Sequence, residues 1–277
     1  RIPITPTAIM QGHFLDVFYV REGYPIGAMF GYKTDGLYQC RDFSDFYDAN
    51  GTFISDKAQQ KAIYDNIKGN NGQFTLREGV VSRGNVVEPG YLKLKKQGEG
   101  DVITSDDKVY LGSNEPKFFG GFTNRFSYKN VELSIFLQFS YGNKLFNTNH
   151  AMLRGYNNYN IEQQYYDNMW TIDRQNAPLH IYSDNIGRQT ATELQAEDAS
   201  YLKIKEISFS YRLPKKAMRY LGVKGAKVFV SGINLFTFTK YSWYDPEFSS
   251  TNPLTGGLDK YSYPTARTFN AGFSIDL

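Results

Sequence analysis

The chain has one cysteine, Cys40, three histidines and two tryptophans among its 277 residues. A single cysteine excludes an intramolecular disulfide and any cysteine-based metal site. His13, His150 and His180 stand apart, without metal-ligand spacing. There is no G-x-S-x-G, no phosphate-binding loop and no zinc signature. No apolar run approaches the ~18 residues that a spanning helix needs, and mean hydropathy is -0.49. A helical membrane protein is therefore excluded. A barrel is not, because alternating strands average out in any hydropathy window. The net charge is only +3, and the basic residues are scattered apart from short clusters such as Lys215-Lys216, so nothing points to nucleic acid as a partner. No secretory leader is visible either: the chain opens Arg1-Ile-Pro-Ile-Thr-Pro, with neither an initiator Met nor an apolar stretch. A processed precursor and a piece of a longer chain both fit, and the piece is the expectation adopted.

Aromatic residues are abundant, at 16% of the chain, with 22 Tyr and 21 Phe. That enrichment suits aromatic girdles at membrane interfaces and sugar- or peptide-binding loops, and also any β-rich soluble protein. The arrangement is more telling. In the last eleven residues, Phe269, Ala271, Phe273, Ile275 and Leu277 alternate with Thr268, Asn270, Gly272, Ser274 and Asp276. A period of two gives a strand one apolar and one polar face. An exposed soluble edge strand this aromatic would invite aggregation. In an outer-membrane barrel its apolar face meets lipid.

The same pattern recurs upstream. Phe118, Phe122, Phe126 and Tyr128 form one face of a strand. After the short Lys129-Asn130 connection, Val131, Leu133, Ile135, Leu137, Phe139 and Tyr141 form one face of the next, with Phe136 the exception among the polar positions between them. This reads as a hairpin of two strands of membrane-spanning length, roughly 9–11 residues each. Ile207, Phe209, Tyr211 and Leu213 alternate with Glu206, Ser208, Ser210 and Arg212. Pro214 to Leu221 reads as a short helical turn, and Ala226 to Phe236 as a further strand. His13 to Glu22 and Ala28 to Tyr38 are weaker strand candidates, and Asp56–Ile67 a helical one. These make about seven spanning strands, joined by long irregular connections at about 39–116, 143–198 and 237–266.

Four segments together resemble the C-terminal part of SusC/RagA-type TonB-dependent outer-membrane transporters. They are Glu22-Gly-Tyr-Pro-Ile-Gly-Ala-Met-Phe-Gly-Tyr-Lys-Thr-Asp-Gly-Leu-Tyr38, Asn114-Glu-Pro-Lys-Phe-Phe-Gly-Gly-Phe-Thr-Asn-Arg-Phe-Ser-Tyr128 continuing to Ser140-Tyr-Gly-Asn143, Glu197-Asp-Ala-Ser-Tyr-Leu-Lys-Ile-Lys-Glu-Ile-Ser-Phe-Ser-Tyr211, and Val230-Ser-Gly-Ile-Asn-Leu-Phe running to Glu247 and joined to Tyr263-Pro-Thr-Ala-Arg-Thr-Phe269. Their order and spacing match over residues ~20–277. The resemblance implies an all-β fold: residues 1–277 would be the C-terminal segment of a large antiparallel transmembrane β-barrel of the 22-stranded kind, with long extracellular loops. The plug and the earlier strands would lie outside this sequence. It also implies import of oligosaccharides or peptides driven by TonB, a SusD-like surface lipoprotein as lid, and no catalytic residues.

Members of that family often carry a calcium-binding run of the form D-x-N-x-D-G-x-I-x-x-x-D. The aligned residues are Lys96-Gln-Gly-Glu-Gly-Asp-Val-Ile-Thr-Ser-Asp-Asp107. Lys96, Gly98 and Gly100 occupy the first ligand positions and supply no oxygen side chain, so the run is read as a solvated turn, with calcium the less favoured alternative. Asp245 and Glu247 could be taken as the carboxylate pair of a glycosidase, but the family pattern makes their surroundings a loop. The aromatic residues of the long connections, Tyr156, Tyr159, Trp170, Trp243 and Tyr244, are the candidates for cargo contact, by stacking on sugar rings or peptide side chains. Phe269, Phe273, Ile275 and Leu277 are the apolar face of the strand expected to be read during barrel assembly. Two other readings stay open from sequence: a soluble β-rich carbohydrate-binding or hydrolase module, and a small independent porin or adhesin barrel.

Overall fold

The computed structural model describes residues 2–3, 17–84, 86–150, 160–184, 190–247 and 252–276. They fall into two compact units. The first is built from Arg1–Gly112, Phe146–Ala196 and Asn252–Thr255, the second from Ser113–Leu145, Glu197–Thr251 and Gly256–Leu277.

The second unit is a five-stranded antiparallel sheet. Its strands are β1 (Phe118–Tyr128), β2 (Val131–Tyr141), β3 (Tyr201–Arg212), β4 (Gly225–Thr239) and β5 (Thr268–Asp276). They pair in sequence order, β1 to β5. The register puts apolar side chains in line across the sheet. Tyr128, Val131, Tyr211, Val228 and Phe273 share one row, and Phe122, Leu137, Ile204 and Phe236 another. The intervening rows are polar or small, as in Arg125, Ser134, Ser208, Ser231 and Asn270. The apolar rows are not covered: Phe122 is 59% exposed and Phe273 75%. A contiguous apolar face of this extent is foreign to a soluble monomer.

The residues that break the alternation have local causes. The β3 sequence changes phase between Ile204 and Ile207. There β2 advances one residue, from Leu137 to Phe136, while β3 advances two, from Ile204 to Glu206, and β4 three, from Phe236 to Ile233. A bulge at Lys205, echoed on β4 where Asn234 has φ +55°, restores the facing. Phe136, an aromatic on the polar face, lies across Gly121: a Cβ there would come within 2.7 Å of its ring. Gly272 makes the same bare seat for Phe229, at 2.6 Å. A ring laid over a strand glycine fills the gap the missing side chain leaves.

At one end of the sheet the connections are short: Lys129-Asn130 between β1 and β2, and the helix α3 (Lys215–Leu221) between β3 and β4. Pro214 precedes α3, and Gly222 ends it in the left-handed conformation at φ +69°.

The first unit was not foreseen as such. The stretches expected to be long irregular loops supply Phe43, Phe46, Tyr64, Phe74 and Trp170 to a common aromatic core, with Cys40 among them and Tyr38 added from the end of the preceding strand candidate. Burial pushes the Cys40 thiol up to about 12, leaving it unreactive. The expected helix is present as α1 (Lys57–Gly69), capped by the Asp56 carboxylate, which accepts from the Gln59 N–H at 2.8 Å. A second, α2, covers Gln163–Asn168. The pair Arg83–Asp184 is fully buried at 3.0 Å, and Asp184 also accepts from the Leu92 N–H at 2.6 Å. The expected strands near the start are much shorter than membrane length: Tyr19–Val20, Ala28–Gly31 and Thr34–Leu37. Residues 13–16 of the first candidate lie outside the described residues. Five long strands, rather than seven, are found among those described.

The apolar rows generate a test. Leu137→Arg in the full-length protein should lower its stability in liposomes by roughly 2–4 kcal/mol if the site lies near the bilayer midplane. Ser134→Arg, on the polar face of the same strand, should be close to neutral. Urea titration of the folded fraction measures both, and equal tolerance of the two changes would refute the facing.

Candidate functional site

The most organised polar chemistry in the second unit sits where the connection after β4 folds onto the polar face of the sheet. Lys203 belongs to a polar row of β3, beside Gln138 and Thr237. Its side chain is 2% exposed, and its Nζ contacts Asp245 Oδ1 at 2.6 Å and Glu247 Oε2 at 2.8 Å. Lys205, two residues along on the same face, reaches the same carboxylate, 2.7 Å from Glu247 Oε2. Gln138 donates to the other oxygen of Glu247 at 2.9 Å and to the Tyr201 hydroxyl at 3.1 Å. Asp245 accepts from the Glu247 N–H at 2.9 Å and from the Thr265 hydroxyl. Burial alone would raise both carboxyl groups, but the Lys203 ammonium and the surrounding donors hold both below the ordinary carboxylate range.

This geometry removes Asp245 and Glu247 from the candidates for glycoside hydrolysis. A hydrolase keeps one carboxylic acid protonated for the leaving group. Here both groups are held ionised, and both are occupied by the same lysine. They are a clamp. Ser242 extends it at the start of the connection by donating its N–H and hydroxyl to Glu197, each at 2.8 Å, and the Tyr241 hydroxyl donates to Asp259.

The clamped segment carries two of the expected aromatic residues. Trp243 is half-buried against Leu145, Ala199 and Tyr241. Tyr244 lies 4.7 Å from it, centroid to centroid, and is 66% exposed. The two are thus adjacent, one as a packed base and one as an open face. Trp170 is elsewhere and differently placed. It is fully buried in the first unit, against Tyr64 and over Gly90, where a Cβ would meet its ring at 2.4 Å. Its face is consumed by the core, so a ligand cannot stack on it. Tyr156 and Tyr159 lie outside the described residues. So does Leu277, whereas Phe269, Phe273 and Ile275 are exposed on the apolar face of β5. Lys203, Lys205, Gln138 and Thr265 were missed from sequence. The available signal was the pair of lysines flanking Ile204, just where the alternation changes phase.

The run at 96–107 belongs to the first unit. The Lys96 ammonium lies 2.9 Å from Asp107 Oδ2. Asp107 also accepts from the backbone N–H groups of Gln97 at 2.9 Å and Thr104 at 2.7 Å. Its burial would raise its pKa, but the Thr104 and Gln97 backbone N–H groups and the Lys96 ammonium outweigh it and bring it down to about 2. A positive charge already sits on the acid that would close a calcium loop. Among the described residues no cluster of three or more His, Cys, Asp or Glu side chains could hold a metal.

Two outcomes follow from these contacts. Lys203→Met leaves two carboxylates with one fewer cation in a half-buried site, and breaking such a pair typically costs about 3–5 kcal/mol. Glu247 keeps Lys205, so the loss should fall at the low end and appear as protease sensitivity of residues 240–247. Asp245 and Glu247 have folded pKa values below their unfolded ones, so the clamp's stability is fully present above the ordinary carboxylate range, near pH 4, and is lost as pH falls through the folded values. Limited proteolysis across pH 3–7 checks this, and a loop that loosens on raising pH would contradict it. For residues 96–107, adding calcium or chelator should leave the melting temperature of the protein unchanged. A calcium-dependent rise that Asp107→Asn abolishes would show the opposite.

No family model matches the sequence. It is 29% identical over 273 residues to TonB-dependent receptor P3 of Formosa agariphila, covering 95% of this chain and 24% of that protein. It is 30% identical over 189 residues to TonB-dependent receptor P26 of the same organism, covering 65% and 19%. With TonB-dependent receptor SusC of Bacteroides thetaiotaomicron it shares 25% identity over 255 residues, covering 85% and 22%. The chain thus spans about a quarter of the length of these relatives. Its fold matches a chain of the RagAB peptide transporter with a TM-score of 0.61 at 18% identity, covering 95% of this chain and 24% of that one. These relatives are named as receptors, not as enzymes, and the RagAB likeness is one of fold: this all-β chain, whose sheet has one apolar and one polar face, is similar over most of its length to part of the SusC-type TonB-dependent receptors.

Proposed function

We propose that the protein containing this chain lies in the outer membrane and imports oligosaccharides or peptides by a TonB-driven mechanism under a SusD-like lipoprotein lid. The observation that carries this reading is the five-stranded sheet with one apolar, uncovered face and one polar face. Such a sheet is a barrel wall in lipid and an aggregation site in water. A soluble binding module or hydrolase would have to cover that face. The relatives supply the rest: receptors named for TonB dependence on the sequence side, and a peptide transporter on the structural side. TonB contact would be made by parts of the protein beyond this chain.

Within this chain the proposed cargo contact is Tyr244, with Trp243 beneath it. The Lys203 clamp fixes the backbone on which they sit, so the aromatic face is presented without further ordering. Pre-organisation of this kind lowers the entropy cost of binding. Tyr156 and Tyr159 remain proposed contacts on sequence grounds alone.

The test is uptake by cells expressing the full-length receptor. Labelled oligosaccharides and labelled peptides should be compared, each with and without an uncoupler of the proton gradient. One class should accumulate in energised cells only, and Tyr244→Ala should weaken its apparent affinity about tenfold, or about 1.4 kcal/mol. Gradient-independent entry would leave a passive pore, and no entry of either class would overturn import.

A further inference from the structure

Two features of the second unit are not used by the transport reading. The first is a groove in the apolar face. Most outward positions of the sheet carry large side chains, but those on β4 and β5 include Val230, Gly232 and Ala271. A cavity of about 420 Å³ opens over Gly232 and Ala271, walled by Phe209, Leu235 and Phe269. Every outward side chain around it is apolar.

The second is α3, at the short-turn end of the same strands. One flank of α3, Lys215 and Met218, borders the polar-face residues Arg212, Lys227 and Ser274. At 100° per residue, Lys216, Arg219 and Tyr220 lie on the other flank, around a shallow concavity lined with Pro214 and Ala217. Tyr220 is 92% exposed. Among the described residues neither Lys216 nor Arg219 enters an ion pair. Two unpaired cations beside a fully open tyrosine form a seat for an anion with an apolar neighbour.

The spacing joins the two. From Gly225, where β4 begins, to Val230 and Gly232 is five to seven residues along the strand. At ~3.3 Å per residue and a tilt of ~40° that is a depth of roughly 13–18 Å. One leaflet of a bilayer with a core of about 30 Å is about 15 Å deep. The end with short turns is the periplasmic end of a barrel.

We propose that this face holds one anionic glycerophospholipid of the periplasm-side leaflet. Its phosphate sits between Lys216 and Arg219 beside Tyr220, and one acyl chain runs along β4 into the groove over Gly232 and Ala271. The proposal rests on the reading that the apolar face meets lipid. An amphipathic occupant is required because the two ends of the site differ in chemistry. A free anion would fill only the seat at α3. A protein segment in the groove would have to satisfy its own backbone in hydrocarbon.

The test uses the full-length receptor, extracted in detergent and titrated with palmitoyl-oleoyl phosphatidylglycerol, with phosphatidylcholine in parallel, and read by native mass spectrometry. Wild type should retain one phosphatidylglycerol in preference to phosphatidylcholine. The double change Lys216→Gln and Arg219→Gln, at exposed positions where folding is safe, should cut retention at least fivefold. Ala271→Leu, which fills the groove, should do the same, while Ala271→Gly should not. Unchanged retention in either the charge or the groove variant overturns the proposal. Displacement of the lipid by equimolar inorganic phosphate would assign the seat to a free anion and overturn it too. The two readings separate cleanly. A receptor that inserts and imports its cargo but retains no phosphatidylglycerol refutes this inference alone, whereas a receptor absent from the membrane fraction refutes the transport reading.

Discussion

A sheet that stands in hydrocarbon has to keep its side chains sorted by parity. Successive residues point to opposite faces, so a one-residue slip would put a whole strand's polar set into lipid. Every other feature of the second unit is subordinate to that constraint. The five strands hold register from Tyr128 to Phe273 on one side and from Arg125 to Asn270 on the other. Where the sequence itself changes phase, between Ile204 and Ile207, the structure inserts an extra residue rather than exposing Glu206 to lipid. A charge near the bilayer midplane would cost several times what a bulge costs.

The alternation also positions chemistry. Lys203 and Lys205, two residues apart on β3, share the polar face and reach the same loop carboxylate. Lys203 also holds Asp245 beside Glu247. The bulge at Lys205 corrects the facing of the strand from Ile207 onward and leaves both lysines on the clamp of the connection after β4. Tyr244 is presented on that connection because the backbone on either side of it is tied down, at Ser242 by Glu197 and at Asp245 by Lys203 and Thr265. A rigid scaffold thus carries an exposed loop aromatic.

How much of this could be read in the residues depends on the range of the interaction. The hairpin of β1 and β2, the terminal strand and the helix after Asp56 were legible because period two, a two-residue turn and an N-cap are local signals. The first unit was not. Its core joins Tyr38 and Phe43 to Trp170 across more than a hundred residues of polar, Gly-rich chain, and no periodicity records such a pairing. Trp170 was for that reason counted among the candidates for cargo contact. Its neighbours decided otherwise: Gly90, with φ +89°, leaves the space in which the indole ring lies. The carboxylates at 245 and 247 were seen and set aside as a catalytic pair, but their role as a clamp was not legible, since nothing in the loop sequence shows that Lys203 of a distant strand neutralises them. At Phe136 the sequence showed only an anomaly, and its reason, the bare backbone of Gly121 on the adjacent strand, is again a tertiary one.

The edges of the sheet carry the argument beyond these residues. Among the described residues β1 has a neighbour only in β2, and β5 only in β4. Each therefore presents an outer row of backbone N–H and C=O groups without a partner strand. In water such an edge can be solvated. In hydrocarbon each unsatisfied group costs several kcal/mol, so a row of them along a strand the length of β5 would outweigh the entire stability of an ordinary domain, about 5–15 kcal/mol. The apolar face commits the sheet to lipid, and lipid commits both edges to being paired. The proposed membrane setting therefore calls for further strands beside β1 and β5. The relatives, of which this chain matches about a quarter, are long enough to provide them within one polypeptide.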